Sequence, residues 1–155
     1  MPAVLEKQDR KHISQRKISQ RRSQLELARL EYWRTLKSEA DILTQREIAD
    51  AASISQPSVS EALNKAREID EPREGFSSGS LHEMFLRYSA GELSQKQLIK
   101  ELSEWQYDKP SVADSLDGLL VDLPNTFRDV EDALVKGIIE PDVYNAVVSA
   151  IRNRD

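Results

Sequence analysis

The chain contains no cysteine. Neither a disulfide framework nor a thiolate metal site is available to it, and the composition suits a reducing compartment. Histidine is almost as scarce. His12 and His82 are the only two, far apart and without a matching cluster of ligands, so no metal or other cofactor is expected. Glycine is sparse, and there is no glycine-rich phosphate loop and no nucleophile elbow. The carboxylates Asp114, Asp117 and Asp122 are spaced three and five apart, which does not bring all three to one helix face. A solvated edge is the expectation there, not a metal site, and the chain is not expected to be an enzyme. No apolar run reaches the length of a transmembrane helix, and MPAVLEKQDRK holds no apolar core of signal-peptide length before its charges. A cytoplasmic protein without membrane contact is expected. Strand signals are missing as well: every apolar period is helical, which predicts an all-α fold.

What charge there is falls unevenly. Residues 1–69 carry 13 Lys/Arg against 10 Asp/Glu, a net of +3, whereas residues 70–155 carry 9 against 17, a net of −8. Such asymmetry suggests one half that faces a polyanion and another that faces something else. Residues 1–24 form a basic helical arm. Within it Ile13-Ser14-Gln15-Arg16-Lys17 is followed by the near-repeat Ile18-Ser19-Gln20-Arg21-Arg22. A five-residue step turns about 140° on a helix, so the repeat lays no continuous apolar stripe. The arm is either a solvated, partly frayed extension or a contact to phosphates through Arg16, Lys17, Arg21 and Arg22.

From Leu25 the spacing becomes amphipathic. Leu25, Ala28, Tyr32 and Leu36 define one face, with Leu30, Trp33 and Ala40 alongside, and this helix can continue the basic one. Trp33 and Tyr32 are expected in a core or a dimer contact. Two short helices follow and complete a unit over residues 25–69. Thr44 with Glu47 forms a capping-box pattern at the first, whose inner face is Ile48, Ala49 and Ala52. Ser55 and Pro57 mark the start of the second, whose inner face is Val59, Ala62, Leu63 and Ala66. Residues 70–80, rich in Pro, Gly and Ser, are expected to be a linker or exposed loop. Residues 81–155 form an acidic helical domain for a partner or for dimerisation. Its predicted faces are Leu81, Met84, Phe85 and Tyr88; Leu98, Ile99, Leu102 and Trp105 after a start at Ser94; Val112, Leu116, Leu119, Leu120 and Leu123; Phe127, Val130, Ala133 and Leu134 after Thr126 with Asp129; and Val143, Tyr144, Val147, Val148 and Ile151 after Pro141. Tyr88–Trp105 and Val130–Val147 are two helix–Gly–helix units of similar style.

The stretch LTQREIADAASISQPSVSEALNKA, Leu43–Ala66, has small, apolar and polar residues where a helix-turn-helix needs them. Between Gln45 and Asn64 it resembles the motif of prokaryotic repressors and related regulators, most closely over ISQPSVSEAL. Two positions depart from that pattern: Ser53 stands where the left-handed turn residue is usually glycine, and Glu61 where arginine or lysine is common. The resemblance implies a DNA-binding unit whose second helix lies in the major groove. Thr44, Gln45 and Arg46 would then hold phosphates; Gln56, Ser60, Glu61 and Asn64 would face base edges; and Ser55, Ser58 and Lys65 would steady the flanking backbone, with Pro57 at the start of the same helix. It also implies double-stranded DNA as partner and a homodimer, since one recognition helix reads only a few base pairs. Two functions fit this layout. One is a transcriptional regulator, most simply a repressor. The other is an antitoxin that represses its own operon and neutralises a toxin protein through the acidic half. A third, a DNA-bound recruitment protein, differs only in what that half docks on.

Overall fold

The computed structural model describes residues 2–109 and 125–154. Those residues form seven helices and no strand, so the fold is all-α. The predicted helix around Val112–Leu123 lies outside the described residues, as do Asp114, Asp117 and Asp122.

The basic arm and the amphipathic segment are one helix, α1, Pro2–Glu39. At 1.5 Å per residue it is about 57 Å long. Residues 2–22 are exposed throughout, without a frayed break. The remainder of α1 buries Leu36 of the predicted face but not the rest. Leu25 and Tyr32 are exposed, and Ala28 with them; the buried residues are Ser23, Leu27, Arg34 and Leu36. The reason is a second packing partner. α4, Leu81–Ser89, lies against the side of α1 that carries Ser23, Leu27 and Arg34, about 180° from Leu25 on a 3.6-residue helix. Small Ser23 permits a close approach there, its hydroxyl donating to Ser89 Oγ at 3.0 Å, while Gln20 and Gln24 both donate to the carbonyl of Ala90.

Around the C-terminal end of α1 pack α2, Gln45–Ala52, and α3, Gln56–Arg67. Leu36, Ile48, Ala49, Val59 and Leu63 form one cluster, with Trp33, Leu43, Ile54 and Ala62 against it. A second, larger cluster joins α4 to α5 (Gln95–Glu104), α6 (Arg128–Val135) and α7 (Pro141–Arg152), through Met84, Leu98, Leu102, Trp105, Val130 and Val147 among others. The two helical hairpins in it are built alike. α4 ends on Gly91 and α6 on Gly137, both at positive φ. In each the glycine N–H bonds back three residues and the next N–H bonds back five, the Schellman pattern: Gly91 to Tyr88 and Glu92 to Arg87, Gly137 to Leu134 and Ile138 to Ala133. Tyr88 also donates to Glu140 Oε2 at 2.8 Å across the hairpins; burial, then that carboxylate, push its phenol up to about 12.

Residues 70–80 are not a free linker. Ser78 and Gly79 are buried. Arg73 lies 3.9 Å from the centre of the Trp105 ring, which also meets Phe76 edge-on. The buried carboxylate of Glu101 accepts from the backbone and hydroxyl of Ser77. Composition alone reads this stretch as a linker or exposed loop, because its contacts are made by serines, a glycine and one arginine, not by an apolar period. The start of α6 differs too. Thr126 is buried and does not cap it; the Asn125 N–H donates to Asp129 instead, and Asn125 Oδ1 accepts from Leu81 N.

Between the two apolar clusters sits a buried ion network. Arg34 of α1 forms a bidentate pair with Glu83 of α4, at 3.0 and 2.6 Å, and also donates to the carbonyl of Asp70. Glu83 further accepts from Arg87 and from the N–H of Gly79. Arg87 reaches on to Glu31 and Glu92. Burial pushes the Glu83 carboxyl up, but the donors from Arg34, Gly79 and Arg87 outweigh it and hold its pKa below the ordinary range. A cavity of about 480 Å³ opens beside this network, lined in part by Arg29, Trp33, Asp70 and His82. Among the described residues no helix is long and apolar enough to cross a membrane.

Candidate nucleic-acid interface

The geometry of α2 and α3 follows from local sequence. Thr44 caps α2 reciprocally: its Oγ1 accepts from Glu47 N, and its backbone N–H donates to Glu47 Oε2 at 2.8 Å. That backbone bond, and then the Thr44 hydroxyl donating to the same Oε2 at 3.0 Å, hold the Glu47 carboxyl below its usual range. The helix stops at Ser53, which takes the left-handed conformation at φ 57° and ψ 42°. Ile54 N–H then bonds to Ala49 O at 3.0 Å, and the chain turns within three residues into α3. Ser55 caps α3, accepting from Ser58 N at 3.2 Å, and Pro57 sits in the first turn where no helical donor is missed. Ala49 is buried in the cluster that joins these helices to α1, small enough to let the backbones approach.

The outer face of α3 is free. Gln56, Ser58, Glu61, Asn64 and Lys65 are exposed, as are Thr44, Gln45 and Arg46 at the start of α2. Ser60 is different. It is half-buried, and its hydroxyl donates to Gln45 Oε1 at 2.8 Å, tying α3 to the head of α2. Several other polar groups are held by neighbours. The Ser55 and Ser58 hydroxyls lie 2.8 Å apart, Lys65 pairs with Glu61 at 3.6 Å, and Arg67 donates to Asn64. Glu61 thus offsets the lysine one turn below it, and the face has little net charge. Arg46 is exposed and makes no ion pair among the described residues.

The structure therefore brings together Thr44–Arg46 and the outer side of α3, but not the basic arm. Arg16, Lys17, Arg21 and Arg22 lie toward the opposite end of α1. From residue 19 to Leu36, where α3 packs, is about 26 Å along the axis. Arg22 is engaged by Glu26 at 3.3 Å, and Arg21 donates to Gln24. The network of Arg34, Glu83 and Arg87, which fixes α1 against α4, was not foreseen; an arginine on the apolar side of a helix gives no periodic signal. His12 is exposed, and His82 lies 3.8 Å from Glu26. Among the described residues no cluster of His, Asp and Glu could hold a metal ion. No protein-family model matches the chain, and no curated protein or solved structure is significantly similar to it.

Proposed function

We propose that the protein is a sequence-specific DNA-binding transcriptional regulator that reads the major groove with α3 and acts as a dimer. The observation that carries this is the α2–α3 pair. A short capped helix, a left-handed residue at Ser53, and a second capped helix whose outer side is polar and unpacked are the features that a recognition helix presented to base edges would need. Gln56 and Asn64 carry amides that can donate and accept together, as adenine requires. Arg46 and the exposed head of α2 supply phosphate contacts, and the Ser60–Gln45 bond fixes α3 relative to them. Because Glu61 offsets Lys65, contacts away from α3 must supply most of the non-specific affinity. The test is a binding titration on genomic fragments at several salt concentrations. Selective retention of a few fragments, with affinity falling as salt rises, supports it; binding without preference, or without salt dependence, removes it.

One observation favours a second role, capture of a protein by the C-terminal helices, as in an antitoxin. Val135 and Ile138 stand exposed at and just after the end of α6, and Ile138 lines a cavity of about 280 Å³ together with Phe85, Asp132 and Lys136 among others. Co-expression with each neighbouring gene product tests it. Relief of a neighbour's toxicity that is lost in Val135→Asp supports the role, and absence of any co-purifying neighbour product counts against it.

A further inference from the structure

Some of the exposed apolar residues of α1 are aligned, although Leu5 and Ile13, also exposed, lie off the line. Ile18, Leu25 and Tyr32 recur every seven residues and remain 71%, 54% and 40% exposed, with Ala28 beside them. At 3.6 residues per turn each falls about 20° from the next, about 40° in all, on the side turned away from α4. A straight helix drifts slowly from a seven-residue repeat, and a left-handed supercoil against a second helix removes the drift, which also brings Val4 and Lys11 onto the line. Residues 2–22 make this more pressing. They are helical yet packed against almost nothing, whereas most helical stability in proteins comes from packing of one face.

We infer that this stripe is the interface between two copies of the chain, with the two α1 helices antiparallel and Leu25 on the two-fold axis. Charge selects the direction. Residues 2–22 hold seven Lys/Arg against Glu6 and Asp9, a net of +5, while residues 23–39 hold three of each sign. Parallel pairing would align two arms of +5 and set Lys11 on Lys11 and Arg21 near Arg21. Antiparallel pairing lays each arm along the neutral half of the other helix. A two-fold axis at Leu25 makes the contact self-complementary, as an isologous interface must be. Leu25 meets Leu25, Ile18 meets Tyr32, and Lys11 comes level with Glu39. The first ten residues of each arm then run beyond Glu39, past the exposed Ile42, toward the α2–α3 pair of the other copy. This resolves the separation noted above: an arm remote from its own α3 is delivered to that of its partner. The delivery, unlike the pairing, rests on the proposed DNA-binding function.

Absence of cysteine makes the register testable. The full chain should sediment at twice its 17.7 kDa, and Leu25→Glu should weaken association by roughly 100-fold or more with loss of helical circular dichroism from the arm. Leu25→Cys should cross-link to itself on oxidation or with a short bis-maleimide. Ile18→Cys alone should not, but a mixture of Ile18→Cys and Tyr32→Cys should. A monomer at all concentrations, or self-linking of Ile18→Cys in preference to Leu25→Cys, overturns the pairing. On DNA, the triple change Lys7→Ala, Arg10→Ala and Lys11→Ala should lower the salt slope by up to about three, but have no such effect in the Leu25→Glu background. An equal effect in both backgrounds overturns the delivery. Pairing is read without DNA, so a failure to bind DNA leaves it standing, and a monomer leaves DNA recognition to its own titration.

Discussion

Replacing Arg34 with methionine should be the most destabilising single change on α1. Arg34 is 8% exposed and gives Glu83 two hydrogen bonds and the Asp70 carbonyl a third. Removing one member of a buried pair typically costs about 3–5 kcal/mol, because the other charge is left without compensation. Here Arg87 and the Gly79 N–H still serve Glu83, so the lower end applies, about 3 kcal/mol. For a chain of this size that is a fall in melting temperature of roughly 6–12 °C. Arg87→Met should cost less, about 1–2 kcal/mol, since its guanidinium is partly solvated and Arg34 would remain. The same pair predicts a pH dependence. Glu83 is held below its unfolded value, so its contribution is present above about pH 4.3 and is lost as pH falls through its folded pKa. Arg34→Met should therefore flatten the acid limb of the stability profile. Urea unfolding of the three proteins between pH 3 and 7 is the assay (range chosen to bracket carboxylates). A loss below about 1 kcal/mol for Arg34→Met, or one no larger than for Arg87→Met, would refute the assignment of this network as the link between α1 and α4.

Further expectations concern the turns and the candidate interface. Gly79→Ala would place a Cβ 2.6 Å from the Glu71 carbonyl oxygen, so the 70–80 loop must shift; a loss of about 1–3 kcal/mol in urea unfolding is expected. Ser53→Gly should relieve the left-handed turn and raise stability by up to about 1 kcal/mol, whereas Ser53→Val should lower it; equal stability of all three would contradict the turn geometry. Gln56→Ala and Asn64→Ala should each lose about 1–3 kcal/mol of discrimination at one base position in a binding-site selection. Arg46→Ala should instead weaken binding evenly across sequences and reduce the salt slope by about one.

The local signals in the sequence were dependable because their causes are local. Thr44, Ser55 and Ser94 cap the helices that follow them, and Pro141 opens α7. The apolar faces of α3, α4 and α7 are buried largely as their spacing implies. On α1 the same reasoning failed. Leu25 and Tyr32 mark an apolar face, yet α4 packs on the opposite side, where Ser23, Leu27 and Arg34 give no periodic pattern. A helix with two packing partners and an unoccupied stripe has no single hydrophobic side, and the pairing of Arg34 with Glu83 spans 49 residues that no window joins. Residues 70–80 misled for a related reason: polar side chains that bond inward are indistinguishable in composition from those that face water. At the candidate interface, the sequence located Thr44–Arg46 and the face of α3. It could not tell that Ser60 spends its hydroxyl on Gln45, or that the basic residues Arg16–Arg22 centre about 26 Å from where α3 packs, because both depend on tertiary placement.

DNA recognition by α3 is most directly tested by selecting bound fragments from a random or genomic DNA pool with the full-length protein at two salt concentrations, in parallel with Gln56→Ala. The account predicts enrichment of a defined sequence, affinity that falls steeply as salt rises, and a change at one base position for the variant. An unenriched pool, or enrichment that Gln56→Ala leaves unchanged, would contradict it.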